Sequence, residues 1–167
     1  MAATRILRFA APVLLTAALM TVAPAVAASS GPAVRGGGVV SGPLGVTSQL
    51  GFTATSSGGS FLCVMAGRSG GFPFGPFQSI QQMHVQGRVT PGSLSISGGV
   101  ATFSGTATIH VVGTTSTGRL KMTMLDVPFT STQGAGGAGV AWHRLDVSGV
   151  GTFGPAPMAS GHITIWP

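Results

Sequence analysis

From residue 100 to residue 112 the chain alternates without a break. Ala101, Phe103, Gly105, Ala107, Ile109 and Val111 fall on one side, and Thr102, Ser104, Thr106, Thr108 and His110 on the other. A period of two sustained over that length belongs to a strand that buries one face and wets the other. Among the inward members only Phe103 is large before Ile109, so the element facing it must come close or present bulky side chains. After residue 28 no stretch of a dozen residues keeps a 3.6-residue period, and Gly, Ser, Thr and Val dominate, so helix is not expected.

Seven further segments read as strands by the same logic: 49–55, 60–66, 79–90, 93–97, 119–129, 140–153 and 160–166. Between them stand Ser57-Gly58-Gly59, Thr90-Pro91-Gly92, Gly98-Gly99 and the glycine run 134–139, read as a flexible turn. Gly98-Gly99 is the sharpest hairpin signal, because a two-residue primed turn needs positive φ at its centre. Short connections make neighbouring strands antiparallel, since parallel pairs need long crossovers. The expected fold is therefore all-β and antiparallel, with about eight strands in a closed or nearly closed barrel. A two-sheet sandwich is the alternative, as both architectures bury alternate residues. The single β domain is placed at 36–167 behind a flexible lead-in at 28–35, and glycine-rich 36–45 is either part of that lead-in or a weak edge strand. Residues 67–77, GRSGGFPFGPF, set Phe72, Phe74 and Phe77 in a Gly/Pro loop that no central strand accommodates. That loop is a plug over one end of the core or an exposed apolar patch.

The N-terminus carries Arg5 and Arg8, an apolar stretch over 9–23, and the small-residue signature Ala25-Val26-Ala27. This is the pattern of a signal peptide spanning 1–27, with cleavage between Ala27 and Ala28. A retained membrane anchor competes with it, because the stretch nearly reaches bilayer length if Pro12 and Pro24 are tolerated. Every later apolar run is interrupted within a dozen residues, so the mature chain is expected to be secreted, soluble and without a membrane span. Cleavage of the 167-residue chain leaves 140 residues, enough for a core that needs no staples. Cys63 is the single cysteine, which rules out an intrachain disulfide. Its neighbours Phe61, Leu62, Val64 and Met65 favour burial over pairing between chains.

Loss of Arg5 and Arg8 lowers the formal charge from +6 to +4. The remaining cations, Arg35, Arg68, Arg88, Arg119, Lys121 and Arg144, form no run, and nucleic acid is not expected as a partner. Glu, Asn and Tyr are absent, so acid/base chemistry would rest on Asp126, Asp146 and four histidines. The match of Gly67-Arg68-Ser69-Gly70-Gly71 to a hydrolase elbow fails because Phe72-Pro73-Phe74 cannot begin the required helix. Gly134, Gly136 and Gly139 match a dinucleotide fingerprint, yet residues 140–145 continue as a strand pattern where the fingerprint needs a helix. No catalytic residue and no cofactor is expected.

His84, His110, His143 and His162 are weak metal candidates. They fall on four different strands, so any site depends on strand register; His110 and His162, alternating with Thr, read as solvated. Arg144 and Asp146, two apart on one strand face, read as a surface ion pair. A glycosidase carboxylate pair would require the fold to bring Asp126 to Asp146.

The run Ser95-Ile96-Ser97-Gly98-Gly99-Val100-Ala101-Thr102-Phe103-Ser104-Gly105-Thr106-Ala107 resembles the I-S-G-N-x-A-x-F-S-G-T-A core of small secreted bacterial all-β modules of unknown function. Leu50-Gly51-Phe52, Met122-Thr123-Met124-Leu125-Asp126 and Ser160-Gly161-His162-Ile163-Thr164-Ile165 are similar to further strands of that family, in the same order. Gly99 and His162 stand where the family commonly has Asn, and Val127-Pro128-Phe129 replaces an N-G turn. The resemblance implies a β fold and an extracellular setting, and attaches no catalytic residues. The function expected is that of a non-catalytic module engaging a cell-surface or extracellular macromolecule. The alternative is a barrel holding a small apolar ligand, and a third reading is a His-metal enzyme.

Overall fold

The computed structural model describes residues 31–42, 47–69 and 75–167. The segment 1–27, its cleavage site at Ala27 and Ala28, and Phe72 and Phe74 lie outside them. Ten strands follow in chain order: β1 (Ala33–Ser41), β2 (Thr47–Thr55), β3 (Gly58–Ser69), β4 (Ser79–Val89), β5 (Ser95–Ser97), β6 (Val100–Thr115), β7 (Gly118–Gly134), β8 (Gly136–Gly137), β9 (Trp142–Val147) and β10 (Gly151–Trp166). The described residues contain no helix.

Eight of the strands pair antiparallel in the order β1-β2-β3-β4-β6-β7-β9-β10, and β10 returns to pair with β1, with Val34 opposite Ile165. The result is a closed up-and-down barrel, with β5 added against β6 and β8 against β10. Closure leaves the eight main strands with no free edge row along the seam, which is the physical difference between this barrel and a sandwich.

Three expectations are corrected. Strand β1 begins at Ala33, inside the segment read as a flexible lead-in, and residues 36–40 pair on both sides, so they are neither lead-in nor edge. Val34 and Val40 anchor this strand in the core at 1% and 2% exposure. The segment 140–153 is two strands, because Ser148-Gly149-Val150 turns the chain: Gly149 has φ 70° and Val150 N–H bonds to Val147 C=O. The glycine run 134–139 is held, with Gly137 opposite His162 and Gly139 N–H donating to Met158 C=O.

The Gly98-Gly99 turn is as expected, with φ of 56° and 77° between Ser97 and Val100. Two other hairpins share one chemistry. In Thr55-Ser56-Ser57-Gly58 and in Thr115-Ser116-Thr117-Gly118 the first threonine hydroxyl donates to the glycine carbonyl at 3.0 Å. The same hydroxyl oxygen accepts the N–H two residues on, a local bond that favours turning over extension.

Inward residues converge on an aromatic cluster. Phe103 meets Phe52 at 5.6 Å and Phe61 at 6.1 Å between ring centroids, and Phe61 meets Phe129 at 5.1 Å. The bulky neighbours that the small side chains around Phe103 require are therefore these rings. Glycines make the space: a Cβ on Gly36 would stand 2.9 Å from the Phe52 ring, and one on Gly105 3.0 Å from the Phe129 ring. Phe77 is buried at 2% beside Gly113, where a Cβ would stand 2.6 Å from its ring. That position fits the plug reading for this one phenylalanine of the loop.

Candidate functional site

Three polar side chains point into the apolar interior. Ser131 and Gln133 follow Phe129 at every second position of β7, and His143 shares the inward phase of β9 with Leu145 and Val147. All three are buried, with His143 at 3%. Gln133 Nε2 donates to Ser131 Oγ at 2.7 Å and lies 2.8 Å from His143 Nδ1; with the amide in this orientation the imidazole proton is on Nε2. The His143 ring stacks on Phe61, centroids 6.0 Å apart. Burial pushes its pKa down to about 4, so it is neutral at pH 7.

Among the described residues Gln133 Oε1 and His143 Nε2 have no hydrogen-bond partner. One is an acceptor and the other a donor. Turning the amide over exchanges the two roles and leaves the same complement, which is that of a hydroxyl or a water. Strand parity, counted on from Phe129 and back from Leu145, could have revealed these inward positions; the expected strand 119–129 stopped short of Ser131 and Gln133, while His143 lay within the expected strand 140–153.

On the outside, Ser104, Thr130, Asp146 and Thr152 form one row across β6, β7, β9 and β10. Asp146 accepts two bonds from Arg144 at 3.0 Å and one from the Thr152 hydroxyl, the surface ion pair expected from the sequence. These bonds hold its carboxyl below the usual carboxylate range. The row lies in an open groove of about 700 Å³ that is also lined by the β9–β10 turn, Ser148-Gly149-Val150. Asp126 stands elsewhere, in a β7 bulge opposite Thr108 with φ 53°.

Register decides the histidines. His84 on β4 and His110 on β6 are directly opposed, with rings 6.1 Å apart between centroids and inclined by 30°. His110 Nδ1 is 2.9 Å from Thr123 Oγ1, its own register partner on β7. His143 is inside the barrel, while His162 is exposed opposite Gly37 and Gly137. Among the described residues no three His, Cys, Asp or Glu groups converge on one point. Cys63 is buried and free, and burial raises its thiol to about 12.

Comparison of the chain with protein-family models, with curated proteins and with solved structures finds no match.

Proposed function

We propose that this chain is an exported, non-catalytic β-barrel module that engages an extracellular or cell-surface macromolecule through its outer face. The observation that carries this reading is the aromatic cluster packed inside the barrel. Phe52, Phe61, Phe103 and Phe129, each at most 4% exposed, occupy the volume that an eight-stranded carrier would keep for its ligand. Recognition then falls to the polar outside, where the Ser104-Thr130-Asp146-Thr152 row lines the groove. That polarity runs opposite to a transmembrane barrel, whose apolar band faces out. The leader at 1–27 and the resemblance to secreted modules support export.

One observation favours a second reading, a small-ligand barrel: the unpartnered Gln133 Oε1 and His143 Nε2 lie in the interior, where a ligand hydroxyl would satisfy both. Native mass spectrometry of the protein from culture supernatant tests the two together. The module reading expects a mass beginning at Ala28 with nothing bound. A co-purifying organic ligand overturns it in favour of the carrier, and a full-length chain confined to membranes overturns export.

A further inference from the structure

We propose that His84 and His110 form a two-imidazole site for a divalent transition-metal ion on the outer face of the barrel. Directly opposed residues on antiparallel strands hold their Cβ atoms about 5 Å apart. From that separation two imidazole nitrogens reach one ion at about 2.0–2.1 Å. The register His84↔His110 and the 6.1 Å ring separation supply this arrangement from the backbone, without loop closure.

A second, independent observation concerns His110. Its Nδ1 is engaged by Thr123 Oγ1 at 2.9 Å. A ligating imidazole ordinarily donates its other ring N–H to an oxygen, which fixes the tautomer and leaves the second nitrogen's lone pair for the ion. With Thr123 Oγ1 accepting from Nδ1–H of His110, the Nε2 lone pair is left for the ion. His110 is exposed and His84 half-buried, so the ion enters from solvent.

The donor set selects the metal. Two neutral imidazoles suit zinc(II), nickel(II) and copper(II), and disfavour calcium and magnesium, which want oxygen. No third His, Cys, Asp or Glu joins the pair among the described residues, so water completes the coordination sphere and the ion keeps open positions. The site needs neither export nor a macromolecular partner, and stands apart from the interior His143.

Zinc(II) titrated calorimetrically into the untagged, chelator-free protein tests this, with copper(II) electron paramagnetic resonance as a second probe. The expected result is one ion per chain with nitrogen coordination. His84→Ala and His110→Ala each abolish it, while His162→Ala does not. Thr123→Val weakens it by about tenfold without changing the stoichiometry. Melting curves check that each variant is folded. Absence of zinc binding, binding that survives in both single His→Ala variants, or binding lost equally in His162→Ala overturns the proposal.

Discussion

Gly87 on β4 faces Phe129 on β7 so closely that a Cβ on the glycine would stand 2.5 Å from Phe129 Cε1. The two residues are one packing unit: the ring fills the barrel because that wall position has no side chain. Gly87→Ala is therefore expected to destabilise the fold by about 1–3 kcal/mol through overpacking. Adding Phe129→Leu should recover part of that loss, so urea midpoints for the two single variants and the double variant should show coupling. Strict additivity would mean that the ring and the glycine do not contact each other as described.

Acid should act through His143. Its pKa is pushed down to about 4 from an ordinary value of 6.5, so across that interval the unfolded chain binds more protons than the folded one. Stability is then complete above pH 6.5 and falls as the pH drops toward 4, by about 3 kcal/mol in all. Asp146, whose carboxyl is held low by Arg144 and Thr152, works in the same direction but only below 3.8. Denaturation midpoints at about pH 7.5 and about pH 4.5 should differ accordingly. His143→Gln should flatten that difference; an unchanged slope in this variant would place the acid response elsewhere.

The Cys63 thiol should be inert while the barrel is closed. It is 1% exposed and raised to about 12, and the thiolate is the reactive form. Labelling with a thiol reagent at about pH 8 is expected only as fast as the chain unfolds. Rapid stoichiometric labelling of the folded protein, or a disulfide dimer on a non-reducing gel, would contradict this.

Gly98→Asn should stabilise the β5–β6 hairpin by about 0.5 kcal/mol, by restricting the unfolded chain at a position already in the left-handed region. A Cβ there meets nothing within 4 Å. A lower thermal midpoint for the variant would mean that the turn needs glycine at both centres.

The residues by themselves determine what is local. The alternation of Ala101, Phe103, Gly105, Ala107 and Ile109 decides which side of β6 faces in, and Gly98-Gly99 decides where the hairpin turns, because both depend on neighbours a few positions away. Whether β1 is a lead-in or a full strand, and whether eight strands make a sandwich or a barrel, depends on Val34 meeting Ile165 from the far end of the chain. Nothing local encodes that encounter; it arises from the accumulated twist and stagger of the whole sheet. The same holds for chemistry. Four histidines are visible in the sequence, and parity with Leu145 turns His143 inward, yet only the pairing of distant strands places His84 against His110 and leaves His162 alone, because sliding a strand by one residue exchanges its faces.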